Sequence, residues 1–349
     1  MKKITSAVTK SGNRDLLRVL QPVAAVLLLS GLAVYLYQPH WFQLGMGNRK
    51  ILLPLNSILA AMGCFVVTRR WISSFDASLL AAIIYGFGSF GLSFIKYHFM
   101  AGLCYAMVPW LLCPAVYYHA GHSGGTVKTM VSTLLTIMPF AAILGLIWFA
   151  AHHWAGPLFL MPKHRILEIS DLLGLVTPMI FATEPFAIGF YHVPLILMLM
   201  GLFVFAVSGR ETLLLPVLVG IVLSLMNPIL DVTPILWLSF PALFLSVLAG
   251  LGLQAMAWAG KADRFWITLC IPAALILAGV NLVLSQSHPQ TTAYSQAAVL
   301  FLAAAGGVGA IFLMTCLNIR MIWLRWVILF GLCVYDIVIT SPSLVDSLF

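Results

Sequence analysis

Apolar runs long enough to cross a bilayer, punctuated only by single or paired cations, leave this chain few folds to choose from. A helix needs about 20 apolar residues to span the hydrocarbon core, because backbone polar groups there must all be satisfied within the segment. The first run, Leu16 to Tyr37, follows a basic stretch as in a signal peptide. It is too long for that role and has no small-residue cleavage site, so it reads as an uncleaved first span. The same criterion predicts eleven spans, at 17–37, 51–68, 78–95, 100–119, 128–151, 190–208, 212–229, 232–258, 265–285, 293–314 and 321–340.

Composition agrees. Soluble domains run about 45–50% apolar and roughly 25% charged, whereas 62% of these 349 residues are hydrophobic and 8% charged. The fold class expected is all-α, a polytopic integral membrane protein with one transmembrane domain over 1–349 and no soluble module. The formal charge of +8 does not point to nucleic acid, because the cations flank apolar runs instead of forming a stripe. They act as topology signals. The six cysteines all fall within apolar runs and form no CxxC pair, which argues against a disulfide framework or a zinc ribbon.

Placing the N-terminus inside puts 13 of the 18 Lys and Arg residues on the inner side, and an odd span count then puts the C-terminus outside. On this map most histidines and carboxylates face outward, so chemistry is expected at the outer face. One outer connection, 152–189, is much longer than the others. Connections of that length are functional or carry structure of their own. Within it Ile166, Ile169, Leu173 and Val176 recur at helical spacing, while Arg165, Glu168 and Asp171 share another face. This predicts a short interfacial amphipathic helix near 165–181, ended by Pro178.

The same connection supplies the candidate catalytic set. His164, Glu168 and Asp171 stand four and three residues apart, so one helical face offers a base and two carboxylates. Lys163 and Arg165, with His153, Lys96 and His98 on the same side, are candidates for holding a phosphate or lipid headgroup. The competing explanation is the solvated face of an interfacial helix. No H-x-x-x-H or H-E-x-x-H spacing joins the histidines, so no metal site is assigned. No cofactor is required by any motif, and a divalent metal is the one left open.

Asp336, in "CVYDIVIT", is a further candidate, since an ionisable group at membrane depth costs ~2.5–3.5 kcal/mol on insertion scales. It stands four residues before the expected outer end of its span, within reach of interfacial water. A proton-coupled transporter would use such a group, but the sequence offers no pair of interrupted spans. "GFGSFG", residues 86–91, matches the letters of a dinucleotide fingerprint inside an apolar span. There, as in "AGLGL" and "GGVG", the glycines are better read as allowing close helix approach.

Two stretches resemble the YfhO-like bacterial membrane proteins and the wider GT-C-type membrane glycosyltransferases. One is "LNSILAAMGCFVVTRRWISSFDASLLAAIIYGFGSFGLSFIKYHF"; the other is "FAIGFYHVPLILMLMGLFVF" followed by "LWLSFPALFLSVLAGLGLQAM". Together they cover about a third of the chain. The resemblance implies a GT-C-like fold in the bacterial cytoplasmic (inner) membrane, and an outward-facing site that transfers sugar from a polyprenyl-phosphate donor. It also implies membrane lipid or polyprenyl-linked glycan, and other membrane subunits, as partners in the cell envelope. Such enzymes carry a carboxylate in the first outer loop, whereas "QPHWFQLGMGNRK" has none. Two readings follow: a glycosyltransferase whose acid comes from Glu168 or Asp171, or a non-catalytic GT-C-derived accessory subunit that binds or translocates lipid.

Overall fold

A computed structural model describes residues 2–40, 49–97, 99–118, 145, 166–178, 189–207, 215–227, 234–287, 291–319 and 321–346. Every regular element among them is helical. In chain order the α-helices are α1 (Lys2–Tyr37), α2 (Arg49–Thr68), α3 (Phe75–Phe87), α4 (Ser89–Tyr97), α5 (Phe99–Tyr118), α6 (Leu173–Val176), α7 (His192–Val207), α8 (Leu215–Leu225), α9 (Ser239–Trp258), α10 (Arg264–Ser287), α11 (Thr291–Cys316) and α12 (Ile322–Asp346). Short 3-10 turns occupy Gln38–His40, Ile169–Leu172, Pro234–Leu238 and Lys261–Asp263. Six stretches are long and apolar enough to cross a membrane: Leu20–His40, Phe75–Phe94, Pro234–Trp258, Lys261–Ser287, Thr292–Cys316 and Ile322–Asp346. The chain is an α-helical multi-pass membrane protein. The expected span 128–151 lies outside the described residues apart from Gly145.

Burial sorts the helices. Phe75–Phe94 and Pro234–Trp258 are each 94% buried, against 28% for Leu20–His40, Lys261–Ser287 and Ile322–Asp346. The two central helices pack on each other, with α2 and α5 around α3 and with α7 along α9; α10 and α11 form a hairpin outside. The outer helices expose Phe265, Leu269, Ile276, Val283, Val327 and Val338, the apolar face that a bilayer would cover.

Close backbone approach explains why the centre is small-residue rich. A Cβ on Gly252 would fall 1.8 Å from the Leu197 carbonyl oxygen, and one on Gly201 would fall 2.0 Å from that of Leu248. Only glycine lets α7 and α9 approach so far, the small-residue packing known from membrane helices. Gly86 does the same for α3 against α2, where a Cβ would lie 2.5 Å from the Ser57 oxygen. In "GGVG" Gly307 alone does so, since a Cβ there would fall 2.2 Å from the Leu332 side chain of α12, while Gly306 and Gly309 have open space around them.

Two expectations need correcting. The segment 78–95 is not one helix: Gly88, at φ −72° and ψ 160°, is extended and separates α3 from α4. Nor do residues 166–178, the described part of 165–181, form one amphipathic helix. A 3-10 turn over Ile169–Leu172 and the single turn of α6 take its place, because Asp171 folds back on the Glu168 backbone.

Candidate functional site

Along α12 the buried face runs through Cys333, Asp336, Ile337, Thr340, Ser341 and Leu344, a helical stripe that becomes polar in its C-terminal half. Asp336 is 0% exposed, and α12 continues past it for ten residues to Asp346. At the usual helical rise that puts it about 15 Å below the helix end. There Asp346 meets the His40 ring at 2.7 Å in an exposed pair, so Asp336 does not reach interfacial water.

A carboxylate sealed at that depth needs partners, and α7 brings them. Its first residue, His192, is also 0% exposed, and Nδ1 lies 2.9 Å from Asp336 Oδ1. The Val193 backbone N–H donates to Oδ2 at 2.7 Å, and the Thr340 hydroxyl donates to Oδ1 at 3.2 Å. An ionised carboxylate only accepts, so with Asp336 in that form the bond between them is donated by Nδ1. The carboxylate also sits at the N-terminus of α7, where the helix dipole favours negative charge. Nε2 has no hydrogen-bond partner among the described residues, and the imidazole stands edge-on to Phe301 at 4.9 Å and 82°. An imidazole oriented by a carboxylate, with its second nitrogen open, can accept a proton or a hydroxyl hydrogen bond.

The dyad adjoins the interrupted span. Tyr191 donates its hydroxyl to the carbonyl of Phe87, the last residue of α3, at 2.8 Å and accepts from Ser341 of α12 at 2.8 Å. The tyrosine thereby satisfies a carbonyl that the break leaves without an intrahelical donor. Across the break Ser89 opens α4, and its buried Oγ has no hydrogen-bond partner among the described residues. Gly189 packs so close that a Cβ would fall 2.2 Å from that oxygen. Ser89, Tyr191, His192, Asp336, Thr340 and Ser341 thus gather where α3, α4, α7 and α12 meet.

The outer connection is arranged differently. Asp171 is 0% exposed, and its Oδ2 accepts the Glu168 backbone N–H at 2.9 Å, closing its own turn. Glu168 is exposed and accepts the Ser170 hydroxyl at 3.2 Å. One carboxylate of the pair is therefore exposed and the other buried. The segment is anchored by Leu167 N–H on the Ser224 oxygen at 3.0 Å, and by Asn281 of α10, whose side chain donates to the Val176 oxygen at 3.1 Å and meets the Thr177 hydroxyl. Its outward face is apolar, with Ile169 87% exposed. His98, His153, Lys163, His164 and Arg165 lie outside the described residues, and Lys96 is on α4 with its side chain outside them. Among the described residues no cluster of three or more His, Cys, Asp or Glu could hold a metal ion.

Sequence reasoning singled out Asp336, took His192 only with the other outward histidines and did not pair the two, and missed Thr340 and Tyr191. Thr340 carried a signal, standing four residues after Asp336 and so on its face. His192 carried one too, as the only polar side chain in "YHVPLILMLM" besides the adjacent tyrosine. No family model, curated protein or solved structure matched the chain.

Proposed function

We propose that this chain is a GT-C-like, eleven-span protein of the bacterial cytoplasmic membrane that binds or translocates a lipid-linked glycan in envelope biogenesis. In this reading it is an accessory subunit and not itself the glycosyltransferase. The observation that carries the proposal is where the polar groups are. Asp336 and His192 are sealed at membrane depth beside an interrupted span, whereas Asp171 is buried on the connection and closes a turn there. Interrupted spans with polar groups at their broken ends are what many transporters use to receive a polar headgroup. The dyad would accept a hydroxyl or a proton as the headgroup passes, and the exposed Ile169 would hold the outer segment in the lipid interface.

The test is retention of lipid by the purified full chain. Wild type should carry a polyprenyl-phosphate-linked glycan, and Asp336→Asn should carry several-fold less while remaining folded by circular dichroism. Equal retention by both would sink the assignment.

A second reading, sugar transfer from a polyprenyl-phosphate donor at the outer face, is favoured by one observation. Glu168 is an exposed carboxylate on the anchored outer segment. This reading requires Glu168→Gln to abolish product formation.

A further inference from the structure

At the opposite end of the helices from Asp346, a cavity of about 430 Å³ opens between the C-terminal ends of α9 and α11 and the start of α12. Its lining includes Trp258, Lys261, Thr315, Asn318, Ile322 and Arg325. On the orientation set by the positive charges this is the inner interface. Trp258 is largely exposed there, as expected of a tryptophan at headgroup level.

The cavity is cationic by construction. Arg325, in the first turn of α12, is 5% exposed. Its guanidinium donates to the Ala259 oxygen at 2.5 Å and to the Ile319 oxygen at 3.1 Å, while its buried Nε has no hydrogen-bond partner among the described residues. Lys261 stands exposed on the cavity wall. Arg264, behind it, donates to the Thr315 and Cys316 oxygens at 3.0 and 3.2 Å and also keeps a buried Nε without a partner among the described residues. The nearby carboxylate is Asp263, whose Oδ2 takes the Gly260 backbone N–H at 2.8 Å; no acid lines the cavity itself among the described residues. The N-terminus of α12 opens onto the same space through Ile322, and the first N–H groups of a helix have no intrahelical acceptor.

We propose that this cavity binds a phosphate group, with an anionic phospholipid of the inner leaflet as its source. The Arg325 guanidinium and Lys261 would hold the phosphate oxygens, the α12 N-terminus would add its dipole, and Trp258 would lie against the glycerol and upper chain. Basic pockets between membrane helices on the inner side bind anionic headgroups in this way. The site is independent of the outer-face proposal, since it shares no residue with the His192–Asp336 cluster.

The experiment is native mass spectrometry of the full chain in detergent, with phosphatidylglycerol, phosphatidylcholine or inorganic phosphate added separately. Phosphatidylglycerol should remain bound to wild type, and Lys261→Gln, at an exposed position, should weaken it by about fivefold. Arg325→Gln should weaken it by about tenfold. Should Arg325→Gln fail to fold, Lys261→Gln alone decides. Phosphatidylcholine should be retained far less. Inorganic phosphate that binds with the same dependence on Lys261, without phosphatidylglycerol binding, would support the phosphate site but overturn the lipid as its source. Binding indifferent to Lys261 and Arg325, or equal for phosphatidylcholine and phosphatidylglycerol, would overturn the proposal.

Discussion

Asp336 is held by a side chain 144 residues away, and removing either partner leaves the other stranded in a dry interior. Removing one partner of a buried hydrogen-bonded pair costs about 1–3 kcal/mol, and more where a charge is left behind. Asp336→Ala should therefore lower the unfolding free energy in detergent by about that amount, read from thermal or denaturant melts. Tyr191→Phe removes a donor to the Phe87 carbonyl and an acceptor for Ser341, at a cost of about 1–3 kcal/mol. The two residues differ in how legible they were. Asp336 announced itself, because a carboxylate in an apolar run is expensive anywhere. Its partner could not be read from spacing, since the contact depends on how α7 and α12 pack. Glu168 and Asp171 show the opposite failure. Three-residue spacing predicted a shared face, but the same spacing lets a short acid cap its own turn, and Asp171 does so.

At the scale of elements, glycines with the same letters do different work. In α9 the Gly252 backbone lies against α7, so Gly252→Ala must push the Leu197 carbonyl aside and should cost about 1–3 kcal/mol or more by overpacking. Gly306 in α11 has open space, and Gly306→Ala should stabilise by up to about 1 kcal/mol through helix propensity alone. Parallel melts of the two variants check the opposite signs. The helices were legible as apolar runs: ten of the eleven expected segments overlap described helices, and six of them lie in stretches long and apolar enough to cross a membrane. The interruption at Gly88 was not, because "YGFGSFGL" stays apolar throughout and periodicity does not register one extended residue. It is recognisable only from the Tyr191 hydroxyl bonded to the freed Phe87 carbonyl.

For the whole molecule, the positive charges gave an orientation and the helices gave two ends. The end with His40 and Asp346 should face outward, and the end with Lys261 and Arg325 should face the cytoplasm. Single cysteines introduced at 346 and at 261 in a cysteine-free background should be labelled by an impermeant maleimide from opposite sides, outer for 346. Between these ends the helix core buries the His192–Asp336 pair, which belongs to no part of the outer connection where charge is densest in sequence. Charge density along the chain reports where water is, whereas function at membrane depth depends on which charges are worth burying.

The central claim is that the buried dyad handles a lipid-linked glycan without transferring its sugar. Reconstituting the pure full chain in vesicles with a fluorescent polyprenyl-phosphate-linked sugar tests this most directly, following both leaflet exchange and transferred product. Binding or exchange should be lost in Asp336→Asn, retained in Glu168→Gln, and accompanied by no product. Product formed by the pure wild type and abolished in Glu168→Gln would contradict that claim.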